Sequence, residues 1–136
     1  MQKEEVQNVK LPDVKGRKDV FISYRSRNVE FATRLFHEFN QYSITAWFDK
    51  DVLHEYVGEE YTNIIHKGIE NSQYFLLIYT KDVEDSPFIL EEELQYAIDH
   101  KKKICCYTKE KIDFGTMKPE LKKKLIHIQW LANEED

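Results

Sequence analysis

The stretch Tyr74-Phe75-Leu76-Leu77-Ile78-Tyr79 is the strongest strand signal in the chain. It is an uninterrupted run of aromatic and branched aliphatic residues, without the alternation of a strand that has one face in water. Such runs are typical of strands covered on both faces, as in parallel sheets flanked by helices. We therefore predict that this stretch is the central strand of a layered domain.

Shorter apolar runs and helical periodicity surround this strand. Further strands are predicted at 19–24, 44–48, 103–107 and 126–131. Helices are predicted from Val29 onwards with Asn28 as the cap, after the 49–58 loop, at 88–100 and at 119–125. Because strands and helices alternate, we expect right-handed crossovers and a mostly parallel sheet wrapped by helices. The loops after the carboxyl ends of the strands, at 25–28, 49–58 and 80–88, are then the predicted functional region.

The bulk composition fits one folded domain. The chain has 136 residues, 41% of them hydrophobic, and a formal net charge of −5. Residues 1–18 are polar and aperiodic, so we predict a flexible leader or linker there and a domain at 19–133. The negative charge gives no reason to expect nucleic acid or an anionic membrane as partner.

The compartment is predicted from three features. The chain contains no apolar stretch of roughly 20 residues that would span a bilayer. Its start lacks the apolar core of a signal peptide. The two cysteines, Cys105 and Cys106, are adjacent in an apolar run, where buried reduced thiols are expected. We therefore expect a soluble cytoplasmic protein.

Four local patterns, in order, resemble the motifs of Toll/interleukin-1 receptor (TIR) domains. The segment 19–24 is similar to the family's opening strand, and Trp47-Phe48-Asp49 with Leu53 and Gly58 is similar to its second motif and long loop. The run 75–79 followed by Ser86 resembles its central strand and the loop after it. The sequence Glu93-Leu94-Gln95-Tyr96-Ala97 resembles the following helix, and the resemblance extends over residues 18–131.

This resemblance implies a fold and two activities. The fold is a flavodoxin-like three-layer α/β sandwich with a central, mostly parallel sheet of four to five strands. Some TIR domains cleave the nicotinamide–ribose bond of NAD⁺ through one glutamate and work as self-assembled oligomers in immune or antiphage signalling. Others are non-catalytic modules that act through contacts with other TIR domains. Both hypotheses stay open. In the enzymatic hypothesis, NAD⁺ is the substrate and no cofactor is expected.

The candidate catalytic residue is one of three consecutive glutamates, Glu91, Glu92 and Glu93. At about 100° per residue, a buried helical stripe of Leu90, Leu94, Ala97 and Ile98 places Glu92 towards water and Glu93 on the flank of the packed surface. The family pattern of glutamate, leucine and alanine also selects Glu93.

The register of this helix leaves an alternative. The family usually has an aromatic residue four positions before the glutamate, which pairs Phe88 with Glu92, whereas Glu93 would pair with Ile89. A one-residue shift in the first helical turn would reconcile the two frames. Glu93 is the preferred candidate and Glu92 the alternative.

The resemblance also implies residues around the substrate. Arg25 is a candidate for a phosphate and Tyr24 for the ribose or a ring, beside Ser23. Trp47 and Phe48 are candidate ring contacts, although core packing is expected for at least one of them. The remaining candidates are Asp49 and Ser86 near the substrate and Leu53, His54 and Gly58 in the interaction loop, and capping of the next helix is the alternative role of Ser86.

Two other classes of site are disfavoured. The five histidines are scattered and make no defensible metal or Ser/His/Asp arrangement, and His54 has no second ligand at useful spacing. A phosphoacceptor receiver domain would share the sheet architecture. It would require an acidic pair at the end of the first strand, where this chain has Ser23 and Tyr24.

Overall fold

A computed structural model describes residues 16–48, 58–108, 111–126 and 128–132. Its strands are β1 (Lys18–Ser23), β2 (Ala46–Trp47), β3 (Ser72–Tyr79), β4 (Lys103–Thr108) and β5 (Gln129–Ala132). Its helices are α1 (Val29–Gln41), α2 (Gly58–Glu70), α3 and α4 (Pro119–Leu125). Helix α3 is π-helical over Phe88–Gln95 and α-helical over Tyr96–Asp99. Short 3₁₀ segments lie at Ser26–Asn28 and Lys81–Asp85.

The five strands form one parallel sheet in the order β2-β1-β3-β4-β5. The predicted α/β class and the central position of β3 are confirmed. The chain passes from β1 to β2 on one side and then crosses to β3 on the other side of β1. This reversal makes the β1/β3 pair the topological switch point, where open α/β sheets bind their ligands beyond the strands' carboxyl ends.

Helices cover both faces of the sheet. On one face, Val20, Ile22, Leu76 and Ile78 pack with residues of α1. The other face carries the larger cluster, under helices α2, α3 and α4. Its fully buried members include Phe21, Ile65, Phe75, Leu77, Leu94, Leu121 and Leu125. The alternation of side chains along each strand therefore separates two cores, as a three-layer sandwich requires.

Some predicted boundaries and contacts differ from the structure. Strand β2 is two residues long, against the five predicted, and the last strand begins at Gln129. Asn28 precedes α1 but makes no side-chain cap, and its Nδ2 donates a hydrogen bond of 3.1 Å to Thr80 Oγ1. The predicted leader lies mostly outside the described residues, and the 1–18 boundary stays a prediction.

The two cysteines follow the alternation of β4. Cys106 is fully buried in the larger core, whereas Cys105 is only partly buried on the opposite face. Burial raises the pKa of both thiols, so both stay protonated near neutral pH. Across the described ranges, no helix combines the length and apolarity needed to cross a bilayer.

An aromatic stack joins the sheet to α2. Trp47 lies 4.8 Å from Phe21, and Phe21 lies 5.5 Å from Phe75, measured between ring centroids, with nearly parallel planes. Gly68 of α2 packs directly on the indole, where an added Cβ would stand 2.7 Å from Trp47 Cε2. Since Trp47 is 2% exposed and stacked on Phe21, the ring has little room to withdraw.

Gly68→Ala is therefore expected to destabilise the domain. Overpacking costs about 1–3 kcal/mol, which outweighs the roughly 1 kcal/mol that alanine gains over glycine inside a helix. Urea unfolding measures the difference, with Asn63→Ala on the exposed side of the same helix as control. A more stable Gly68→Ala variant would contradict the tight packing against Trp47.

Candidate functional site

The carboxyl end of β1 meets helix α3 through a buried hydrogen bond. Ser23 Oγ donates to Glu93 Oε1 at 2.6 Å. Ser23 is 1% exposed and Glu93 is 7% exposed. A buried carboxylate is uncommon and requires hydrogen bonds to offset its loss of hydration. The switch point therefore holds a shielded glutamate that sequence reasoning had placed only at the edge of the packed surface.

The π-helical turn accounts for the inward position of Glu93. A π-helix closes hydrogen bonds between residues i and i+5, one residue more than an α-helix. Phe88 and Glu93 are five positions apart, the spacing of one π-helical hydrogen bond, so the wider turn brings Glu93 closer to the side of Phe88 than an α-helix would. The extra residue is thus absorbed in the first part of α3, which is the kind of one-residue shift that would reconcile the two frames; the choice of Glu93 over Glu92 as catalytic residue stays a prediction. Single π-turns in proteins are frequent at functional sites.

The structure differs from the predicted α-helical stripe at some of its members. Ile89 is buried, whereas Leu90 and Ile98 are only partly buried. Leu94 and Ala97 are fully buried as predicted. Glu92 lies towards the surface as expected, with 44% of its side chain exposed, and it also has a partner on α2.

Glu92 belongs to a cluster on the surface between α2 and α3. His66 Nε2 lies 3.1 Å from Glu92 Oε1, and the His66 ring stacks on Tyr96 with 3.6 Å between centroids. Tyr96 stacks in turn on His100, and its hydroxyl donates to Glu70. Burial, the hydrogen bond to Glu70 and the charge of Glu70 raise the pKa of Tyr96 to about 12. These contacts hold α2 and α3 together. They direct the Glu92 side chain to α2 and away from Ser23.

Arg25, the candidate phosphate ligand, lies beside an aspartate. Its Nε is 3.5 Å from Asp82 Oδ2, and Arg27 Nε donates to the same oxygen at 2.7 Å. Thr80 Oγ1 also donates to Asp82. Partial burial acts to raise the pKa of Asp82, but the hydrogen bonds from Thr80 and Arg27 and the two arginine charges outweigh it and lower the pKa. Arg25 is thus at the rim, where it shares the single carboxylate of Asp82 with Arg27.

The candidate aromatic residues lie on opposite faces of the sheet. Trp47 is buried in the larger core, which confirms that at least one of these rings serves packing. Tyr24 and Phe48 lie on the α1 face, with 5.6 Å between their centroids, and Phe48 stacks on Phe36. Because neighbouring residues in a strand point to opposite faces, Ser23 and Tyr24 cannot both face Glu93. A substrate contact of Tyr24 or Phe48 would therefore be made from the other side of the strand ends.

The remaining candidates divide between capping and residues outside the described ranges. Ser86 Oγ accepts a hydrogen bond of 3.2 Å from the N–H of Ile89, so Ser86 caps the start of α3. Gly58 is the first residue of α2. Asp49, Leu53 and His54 lie outside the described residues, and their roles stay predictions. Among the described residues, no group of three His, Cys, Asp or Glu side chains could hold a metal ion.

Sequence reasoning missed a second buried carboxylate, Glu84. Its Oε2 accepts hydrogen bonds from the Tyr79 hydroxyl at 2.6 Å and from Lys81 Nζ at 3.0 Å. Its Oε1 accepts from the Lys118 N–H at 3.1 Å. Burial acts to raise the pKa of Glu84, but these bonds and the Lys81 charge prevail and lower it. Glu84 thus fastens the segment after β3 to the start of α4. Only the tertiary contacts identify it.

Comparison with known proteins gives the family. A family model described as the TIR domain matches residues 20–136. The chain belongs to the TIR domain family. A comparison with curated protein sequences gives no match.

Solved structures share the fold at low sequence identity. The TIR domain of the Toll-related receptor TRR-2 from Hydra magnipapillata has a TM-score of 0.62 at 18% identity, over 85% of this chain and 83% of that one. The TIR domains of the activated Roq1 resistosome, which recognises the pathogen effector XopQ, give 0.57 at 21% identity, over 73% and 61%. A metazoan TIR-STING receptor from C. gigas, in complex with 2′,3′-cGAMP, gives 0.65 at 15% identity, over 86% and 35%.

The π-turn of this TIR domain leads to a deletion test. Glu91 is an exposed residue of the π-helical part. Its removal shortens the spacing from Phe88 to Glu93 from five positions to four, as in one turn of an α-helix. The core residues on both sides then keep their directions, so the free energy of unfolding is expected to change by about 1 kcal/mol or less.

The matched control is deletion of Glu38, which is exposed in the α-helix α1. That deletion rotates the following residues by about 100° and is expected to cost about 3 kcal/mol or more. Chemical denaturation of both variants makes the comparison. Equal destabilisation by the two deletions would mean that the π-turn holds no surplus residue.

The bonds of Glu84 predict a pH-dependent stability. Its pKa lies below the ordinary 4.5 in the folded protein, so its stabilisation is complete above that pH. It is lost as the pH falls through the lower folded value. Glu84→Gln is expected to lower the free energy of unfolding by about 1–3 kcal/mol at pH 7, with a difference that shrinks towards pH 3.

Urea unfolding of both proteins between pH 3 and 7 measures this difference. Glu60→Gln, at an exposed position of α2, is the control and is expected to have little effect at any pH. A Glu84→Gln deficit that stays constant over the range would argue against a charged Glu84 in the native protein.

Proposed function

We propose that this TIR domain is an NAD⁺ glycohydrolase that acts when copies assemble, with Glu93 as its catalytic residue. The observation that carries the proposal is the shielded Glu93 carboxylate, held by Ser23 at the β1/β3 switch point. Of the three consecutive glutamates, Glu91 is exposed and Glu92 contacts His66, so only Glu93 is buried towards β1.

The chemistry needs one carboxylate. The bond between ribose C1′ and the nicotinamide nitrogen breaks, and its electron pair leaves with nicotinamide. Because nicotinamide departs as a neutral molecule from a cationic precursor, no general acid is needed. The ribose develops oxocarbenium character, which a nearby carboxylate stabilises. Water then adds to C1′ and loses a proton, which yields ADP-ribose; attack by the adenine ring instead would yield a cyclic product.

Burial strengthens this stabilisation. An interaction between a carboxylate and a developing positive charge is worth more in a shielded site than in water. Arg25 and Arg27 lie beyond the same end of β1 and supply positive charge for the pyrophosphate. On binding, the pyrophosphate replaces Asp82 as their ion-pair partner. Ser86, Tyr24, Phe48 and Asp49 remain proposed contacts of the substrate.

The proposal includes partners and a setting. The interaction partner is a second TIR domain, reached through the loop with Leu53, His54 and Gly58, and the setting is immune or antiphage signalling in the cytoplasm. The Roq1 structure concerns TIR domains in an assembly that recognises a pathogen effector, and we extend a defence role to this chain. Two free thiols are consistent with a reducing compartment.

The test is NAD⁺ consumption at high protein concentration, with products resolved by chromatography and mass spectrometry. Glu93→Gln is expected to lose turnover by about 100-fold or more, in line with loss of a transition-state charge. Glu92→Gln is the matched neighbour and is expected to keep most of it. Loss only in Glu92→Gln would transfer the role to that residue. Absence of turnover in wild-type protein that has demonstrably self-associated would favour the non-catalytic interaction module.

A further inference from the structure

Ser23 and Ser72 are two buried strand serines with different hydrogen-bond acceptors. Ser72, at the start of β3, donates to the backbone carbonyl of Gly68 at 2.8 Å and closes the turn after α2. Ser23, at the end of β1, donates to a carboxylate in another element, 70 residues away in sequence. Ser72 is 3% exposed and Ser23 is 1% exposed. Ser72 thus serves the local backbone, whereas Ser23 acts on the side chain of Glu93.

The Ser23–Glu93 contact has two physical effects. A hydrogen bond donated to a carboxylate favours its ionised form, and burial makes that bond stronger because water does not compete for it. It also fixes the direction of Oε1, since Ser23 is buried and its strand is held between β2 and β3.

We propose that Ser23 is a positioning residue, which keeps Glu93 ionised and oriented towards the ribose. The catalytic part of this inference, the orientation of Glu93 towards the ribose, rests on the proposed function. The inference adds a role to the predicted substrate contact of Ser23, because the single proton of the serine hydroxyl is donated to Glu93.

The kinetic test compares Ser23→Ala with Ser72→Ala in the full chain. Both remove one buried hydroxyl, so both are expected to lower the melting temperature similarly. Only Ser23→Ala is expected to reduce kcat by about tenfold, with KM changed less than twofold, and to move the acid limb of the pH–rate profile upward by about one unit. Ser23→Thr keeps the hydroxyl and is expected to restore the profile.

Other charged groups surround this helix. Among the described residues, those on the elements packed with α3 and at the adjoining strand ends include Arg25, His66, Lys67, Glu70, Lys81, Asp82, Glu84, Asp85, Lys118, Glu120, Lys124 and, on α3 itself, Glu91, Glu92 and Asp99. All of them are unchanged in Ser23→Ala, so the comparison isolates the hydroxyl.

A second measurement does not depend on turnover. Carbon-13 NMR of labelled glutamate carboxyl groups, with the Glu93 signal assigned by its loss in Glu93→Gln, follows the protonation of this residue directly. Its midpoint is expected to rise by about one unit in Ser23→Ala and to stay unchanged in Ser72→Ala.

The outcomes separate the two proposals. A raised midpoint in a protein without NAD⁺ turnover would overturn the proposed function and support the control of Glu93 by Ser23. Turnover that depends on Glu93, with the same pH profile and the same midpoint in Ser23→Ala as in wild type, would overturn the inference about Ser23 and leave the enzyme proposal standing.

Discussion

The parallel pairing of β1 with β3 decides which face of the sheet Ser23 occupies at the rim. In this register Phe21 lies opposite Phe75 and Ser23 lies opposite Leu77. The ring stack from Trp47 through Phe21 to Phe75 occupies the face below Ser23. A slip of one residue would turn Phe21 out of that stack and move Ser23 to the α1 face. The packing of apolar rings thus sets the place of a polar hydroxyl.

Two buried carboxylates near this rim have different environments. Glu84 is bound by a lysine, a tyrosine hydroxyl and a backbone N–H, and it joins two loop segments. Glu93 receives the neutral hydroxyl of Ser23 at the switch point. Carboxylates of the same type acquire different roles through such differences in partners. Glu84 thus serves to hold two segments together, whereas Glu93 lies at the strand ends, where the proposed chemistry needs a carboxylate.

The π-turn gives three consecutive glutamates three separate environments. Glu91 is exposed, Glu92 contacts His66 on α2, and Glu93 is buried towards β1. In a regular α-helix, the spacing from Phe88 would favour Glu92 for the inward position. The wider turn shifts this position by one residue while Leu94 and Ala97 stay in the core. A local change in helix geometry therefore decides which carboxylate reaches the strand ends.

The local pattern of residues was sufficient for the strands, their alternation with helices, the central position of β3 and the selection of Glu93 as first candidate. Periodicity carries this information because each element must bury an apolar face of its own. This local pattern could not predict the hydrogen-bond partners of the rim residues. Arg27 and Asp82 are 55 residues apart, Ser23 and Glu93 are 70 apart, and the polar ends of these side chains leave no periodic signal. The π-turn, the burial of Trp47 against Gly68 and the role of Glu84 likewise follow from contacts between elements, which exist only once the sheet and its helices have packed.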